Sequence, residues 1–202
     1  MPCFAGTAMY KNYHHCRQQL HTVEAIDYYL ATALSNAVGE QDNAVLLHSI
    51  LLLSKLLREG HSCLKLQAEA GRWHWQSEAG EGGFRLPDLD RWQQLLKNGD
   101  LAPEAMQPLV YEYQRLYLRR YWTFEKGVAD RLRVLMTQPL ALDQVLAAKI
   151  LQQLFPDAQA DDQQRLAVAN AMGAHFSVIS GGPGTGKTFT VTKLLAALQR
   201  LN

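Results

Sequence analysis

Apolar positions recur at helical spacing along most of the chain. Val23, Ile26, Leu30 and Leu34 mark one face of an amphipathic helix, with Thr22 placed to cap it. A second helix is predicted from an Asp42 cap through Leu57, with Gly60 as its stop. Its 44–53 stretch is apolar nearly all round, which predicts a central position in a helical bundle. His48 lies in that run and reads as a core or boundary histidine rather than a ligand. Asp88 predicts the cap of a helix that carries Trp92, Leu95 and Leu96 and stops at Asn98-Gly99. Helices follow over 125–136 and 142–154, separated by Pro139. The second has Val145, Leu146, Ile150, Leu151 and Leu154 on its apolar face, and Phe155-Pro156 ends it. Asp161 or Asp162 caps a short helix with Gln163, Gln164, Leu166 and Ala169. A last helix over 187–201 repeats Val191, Leu194, Leu195 and Leu198.

Period-two stretches are fewer. Residues 60–66 alternate briefly and read as a short strand. The 109–124 segment, rich in Tyr, Val, Leu and Trp, reads as a hairpin with strands at 109–113 and 116–121 and a turn near Gln114-Arg115. Residues 176–180 read as a short buried strand. Residues 1–20 have no clean periodicity and are expected to be a flexible arm. A polar, Gly-rich stretch at 70–83 carries Trp73 and Trp75. The two indoles either stack on bases or anchor a partner, or they cover the bundle; the last is preferred. Arg115, Arg119 and Arg120 interleave with Tyr117, Tyr121 and Trp122, a mixture able to grip a single strand. Glu112, Glu125 and Asp130 lie near enough to neutralise them, so a half-buried hairpin with a solvated face fits at least as well.

Composition narrows the picture only a little. The 202 residues are 48% hydrophobic and 19% charged, and the net charge of +1 creates no global field for a nucleic acid. No charged and apolar leader pattern opens the chain, and the apolar run at 50–53 is too short to span a bilayer, so a cytoplasmic protein without a membrane partner is expected. Three cysteines do not make a disulfide framework. Cys3, His14, His15 and Cys16 match no zinc spacing, and a solvated arm is preferred there to a metal site.

The chemistry concentrates near the end. Gly181-Gly182-Pro183-Gly184-Thr185-Gly186-Lys187-Thr188 satisfies G-x-x-x-x-G-K-[ST], between a predicted strand and a predicted helix. Glycines let backbone N–H groups approach phosphates, and the helix N-terminus favours the same anion. Lys187 and Thr188 are the catalytic candidates, with Lys187 directed at the β- and γ-phosphates and the Thr188 hydroxyl at a nucleotide-bound Mg²⁺. The predicted fold is therefore the strand–loop–helix start of an α/β motor domain, preceded by a mainly helical N-terminal domain with a β-hairpin.

Val178 to Thr188, reading VISGGPGTGKT, resembles the first ATPase motif of RecD-type superfamily 1 DNA helicases. Asp162-Gln163-Gln164-Arg165-Leu166-Ala167 is similar to that group's Q motif, and its register implies that Gln164 reads the adenine edge. The helix pair over 24–57, the run GHSCLKL and the run RLYLRRYW resemble the family's N-terminal region. The resemblance implies an ATP- and Mg²⁺-dependent 5′→3′ DNA helicase subunit of a RecBCD-type exodeoxyribonuclease V complex. Such a subunit acts in recombinational double-strand break repair and linear DNA degradation, with RecB-like and RecC-like partners. It also implies that Gly181 to Thr188, Phe189 and Gln164 bind the nucleotide.

The implied division is an arm at 1–20, a partner-docking helical domain at 21–108, the hairpin and a connecting helix at 109–138, and the start of a RecA-like P-loop domain at 139–202. The family's acidic pair and arginine finger lie outside these residues, so the expectation for this stretch is nucleotide binding at most, without helicase turnover. Two alternatives stay open: a non-catalytic adaptor docking on a RecC-like subunit, and a different P-loop helicase or AAA-type ATPase.

Overall fold

The computed structural model describes residues 9–159 and 162–201, and the backbone divides into two compact units, Met1–Lys126 and Gly127–Asn202. In the first unit α1 (Tyr13–Gln19) starts from Asn12, whose side chain accepts the His15 N–H at 2.9 Å. It buries Cys16, with Tyr10 and Leu20 beside it in the core. The flexible-arm expectation is therefore corrected for residues 9–20; residues 1–8, with Cys3, lie outside the described residues.

Helix α2 (Ala25–Ala37) begins at Glu24 rather than at Thr22, which takes a left-handed φ of 66° just upstream. Helix α3 (Ala44–Arg58) is capped by Asn43, not Asp42, through the Leu46 N–H at 3.0 Å. Its side chains are buried without a break from Leu46 to Ser54, so the all-round apolar run does form the centre of the unit.

The small elements that follow close over α3. They are β1 (Leu64–Lys65), α4 (Leu66–Glu69), β2 (Trp73–His74), β3 (Phe84–Arg85) and α5 (Leu89–Lys97), and then, after a 3₁₀ turn at Pro103–Ala105, β4 (Leu109–Glu112) and β5 (Arg115–Leu118). Two antiparallel sheets result, one in the order β1-β5-β4 and one the ribbon β2-β3. Leu116 on the central strand is opposite both Leu64 and Tyr111, which points this face at the core. Helix α5 has the predicted caps, with Asp88 accepting the Arg91 N–H at 3.0 Å. It buries Trp92, whose indole N–H donates to Ser49 Oγ at 2.9 Å.

The hairpin differs from its prediction at two points. Its turn is Tyr113-Gln114, one residue earlier than Gln114-Arg115. Its second strand ends at Leu118, where α6 (Arg119–Thr137) begins and takes in the residues expected to be strand up to 121. The two tryptophans of the Gly-rich stretch separate: Trp75 is buried, whereas Trp73 is 54% exposed.

The second unit holds α7 (Gln144–Leu154), α8 (Gln163–Met172) and α9 (Lys187–Leu201). They pack through Ala147, Ile150, Leu154, Val168, Met172 and Ala197. Helix α9 buries Thr190 and Ala197, so of the stripe predicted at Val191, Leu194, Leu195 and Leu198 only Leu194 packs against this cluster and the other three are exposed. Val145 and Leu146 of α7 are likewise exposed. The strand expected at 176–180 is not formed: no strand pairs with these residues among those described, and Val178 is 75% exposed. Of the two proposed caps for α8, Asp162 accepts the Arg165 N–H at 2.9 Å, and Asp161 lies outside the described residues.

Candidate functional site

Residues 181–186 form a loop that runs directly into α9. Gly184 and Gly186 take φ of +77° and +78°, a region open to glycine at no steric cost. At Gly181 the constraint is space, since a Cβ there would lie 2.6 Å from Thr185 Oγ1. Thr185 Oγ1 donates to the Gly182 carbonyl at 2.9 Å, and the Lys187 ammonium donates to the Gly181 and Gly182 carbonyls, each at 2.7 Å. The loop thus curls around its own lysine.

The first turn of α9 leaves backbone N–H groups without intrahelical partners beside this loop. The Gly186 carbonyl is used twice by Thr190, through its N–H at 2.9 Å and its hydroxyl at 3.1 Å. This buried threonine was not singled out from sequence. The signal was a β-branched hydroxyl four residues after a loop glycine, placed to bond back to its carbonyl.

Helix α8 supplies the other part of the site. Gln164, in its first turn, donates its amide to the Thr185 carbonyl at 3.3 Å. A Cβ on Gly186 would collide with that same amide. The structure therefore brings Gln164 onto the loop that holds Lys187. Pro183, Thr188 and Phe189 are exposed around them.

Lys193, also absent from the sequence prediction, ties α9 to α7. Its ammonium donates to the Leu154 carbonyl at 3.0 Å, 5.0 Å from the Phe189 ring centroid and 5.7 Å from that of Phe155. A cation at the C-terminal end of α7 also matches the sign of the helix dipole. Beside the loop, a cleft of about 360 Å³ opens between α8, at Leu166 and Asn170, and residues 177–180.

The remaining candidates are dispersed. His14 and His15 bond to Gln18 and Gln19 one turn along α1, while Cys16 points into the core. Burial pushes the Cys16 thiol up to about 12. Among the described residues no group of His, Cys, Asp and Glu is placed to hold a metal ion. Nor is any helix among them long and apolar enough to cross a membrane.

Arg119 is engaged by backbone, donating to the carbonyls of Gln107 and, at 3.0 Å, Pro103, and it stacks over Trp122. Arg120 lies over Phe124 at 5.6 Å. Of the three interleaved arginines, Arg115 alone lies in the hairpin, as the first residue of β5 next to its turn.

Comparison with known proteins divides the chain in a similar way. Residues 19–117 match the family model for the N-terminal domain of RecBCD enzyme subunit RecD, and residues 164–202 match that of an AAA domain. The chain is 32% identical over 180 residues to the RecBCD enzyme subunit RecD of Mycobacterium tuberculosis (strain CDC 1551 / Oshkosh), covering 88% of the chain and 29% of the relative. It is 34% identical over 179 residues to that of Mycolicibacterium smegmatis, covering 87% and 29%. It is 28% identical over 213 residues to that of Haemophilus influenzae, covering 93% and 33%. The chain thus spans about a third or less of the length of these relatives. With residues 19–117 matching its N-terminal domain and these relatives matching most of the chain, the chain belongs to the RecD family.

Proposed function

We propose that this chain contributes the nucleotide-binding start and the partner-docking domain of an ATP-driven DNA helicase subunit. The complex would be of the RecBCD type, acting in double-strand break repair and linear DNA degradation. One observation carries the nucleotide reading: Gln164 is seated on the same loop that curls around Lys187, although the two lie on separate helices. A base-reading amide and a phosphate-binding ammonium at one loop suit one nucleotide.

The residues present fit ATP and Mg²⁺. The loop closes at Gly181 and Gly186, where a Cβ would fill the space, and it offers backbone N–H groups and a cation without a carboxylate among its described contacts. When bound, the nucleotide supplies the phosphoanhydride and the oxygens that hold the metal. Residues Gly181 to Gly186 would cradle the phosphates, Lys187 would neutralise them, Thr188 would offer its hydroxyl to Mg²⁺, and Gln164 would orient the adenine. Phe189 would border the site with its position fixed by Lys193. In this reading residues 21–108, together with the 109–138 segment, dock on RecC-like and RecB-like subunits, and residues 139–202 open the motor domain.

Titration of the 202-residue chain with a fluorescent ADP analogue tests the site. Wild type is expected to bind, and Lys187→Ala to bind at least roughly tenfold more weakly, the loss of a charge-assisted contact of about 1.5–3 kcal/mol. Equal affinity of the two proteins would remove the nucleotide reading.

A further inference from the structure

Phe189, Lys193 and Ala197 stand at i, i+4 and i+8 on α9 and therefore share one face of the helix. Ala197 is fully buried in the cluster with α7 and α8, whereas Phe189 is 50% exposed in the first turn, next to Thr188. The row thus starts in the core and ends beside the phosphate loop. Lys193 is its half-buried middle. Its ammonium lies over the Phe189 ring at 5.0 Å and reaches the Leu154 carbonyl at 3.0 Å. Phe155, only 8% exposed, backs the same ammonium at 5.7 Å.

A charge at this place asks for a reason. Half-burying an ammonium costs free energy, and no carboxylate pairs with Lys193 among the described residues. Joining α9 to α7 does not require it, because Arg200 already reaches Gln153 Oε1 at 3.3 Å and the two helices share an apolar cluster. What the ammonium does that an apolar side chain cannot is to hold one aromatic face through the ring quadrupole. With that face occupied, the exposed part of Phe189 is the opposite face and the rim. The cation also draws on the negative charge of the ring, which lowers the π repulsion that a planar group meets when it stacks there.

We propose that Lys193 is a positioning residue for the base half of the nucleotide site. Anchored on the end of α7, it fixes Phe189 as a platform against which the adenine stacks, while Gln164 and Lys187 serve the base edge and the phosphates. Lys193 itself touches no part of the nucleotide. The inference rests on the nucleotide reading above and adds to it the source of a preference for a purine, which offers the larger stacking surface.

Calorimetric titration of the whole 202-residue chain with ADP, and separately with inorganic pyrophosphate, tests it. Pyrophosphate carries the same two phosphates without base or ribose. Lys193→Met keeps the length of the side chain and loses its charge. It is expected to weaken ADP binding roughly fivefold, as for a partly desolvated cation–π contact, and to leave pyrophosphate within about twofold of wild type. Lys193→Arg, which can also lie over a ring, should recover most of the ADP affinity. Phe189→Leu should cost roughly fivefold or more in ADP affinity. Because Lys193 acts through Phe189, the double variant should lose no more than Phe189→Leu alone.

Failure has distinct forms. A wild type that binds neither ligand removes the nucleotide reading, and this inference with it. If wild type binds ADP, three results overturn the role of Lys193 alone. They are Lys193→Met binding ADP equally well, its losing both ligands in proportion, and its loss adding in full to that of Phe189→Leu.

Discussion

Asp27 joins the start of α2 to α3 through one carboxylate. It caps α2 by accepting the Glu24 N–H, takes the Ser54 hydroxyl of α3 at 2.6 Å, and pairs with Arg58 at 2.8 Å. Its side chain is 3% exposed, whereas that of Glu24, the second acid on Arg58, is 58% exposed. Burial decides which acid matters. Asp27→Ala should destabilise the unit by about 2 kcal/mol, below the range for fully buried pairs because Arg58 can still reach water. Glu24→Ala should cost less than about 1 kcal/mol. Urea denaturation of both variants checks this, and equal losses would contradict it.

His48 is the other informative buried group. Its ring stacks on Phe84 with centroids 3.6 Å apart, one nitrogen bonds the Ala44 carbonyl and the other the Tyr10 hydroxyl. Burial pulls it from 6.5 to about 4. Between these values the unfolded chain binds a proton that the folded chain refuses, so stability falls as pH drops from 6.5 toward 4. The loss is about 3 kcal/mol in all. Desolvation lowers His74 as well and adds in the same direction. Melting temperature against pH should show a flatter acid limb in His48→Gln than in wild type, whatever the variant's baseline.

Among the elements, the β4–β5 turn departs most from what its conformation asks. Two consecutive left-handed residues are the signature of a type I′ turn, usually Asn-Gly, yet this one is Tyr113-Gln114. Gln114→Gly should stabilise the unit by about 1 kcal/mol by removing a Cβ from that region, net of the glycine's extra unfolded-state entropy. A rise in melting temperature of about 4 °C is the expected signal, and a fall would show that the left-handed Gln114 carries no such strain.

That turn also shows where the sequence was hard to read. The alternation around 109–118 gave the hairpin, but nothing local marks the change to helix at Arg119, which has neither glycine nor proline before it. Caps with side-chain logic, such as Asp88, were legible. Helix α1 was not, because it buries little beyond Cys16 and its place in the core depends on Tyr10 meeting His48, distant in sequence. In the candidate site the loop and its lysine could be read directly from spacing, and Gln164 from its resemblance to a motif. Thr190 offered only its spacing from Gly186, and Lys193 nothing, since its partner is a backbone carbonyl that leaves no trace in composition. Residues 176–180 have strand-forming side chains, but a strand exists only against a partner, and side chains alone do not supply one.

At the scale of the whole molecule, the two units differ in how much apolar surface they enclose. The first surrounds Trp92 and the continuous Leu46 to Leu53 run, all nearly inaccessible. The second, Gly127–Asn202, relies on a short set from α7, α8 and α9, and leaves Val145, Val178 and Leu195 more than 60% exposed. A unit this small with this core should be marginal, so calorimetry is expected to resolve two transitions, the lower from the second unit. A ligand that binds only the folded form raises stability by about 2.7 kcal/mol at a hundred times its dissociation constant. ADP should therefore move the lower transition upward and leave the upper one in place, and Lys187→Ala should abolish the movement. A single transition that ADP shifts as a whole would show instead that the two units melt together.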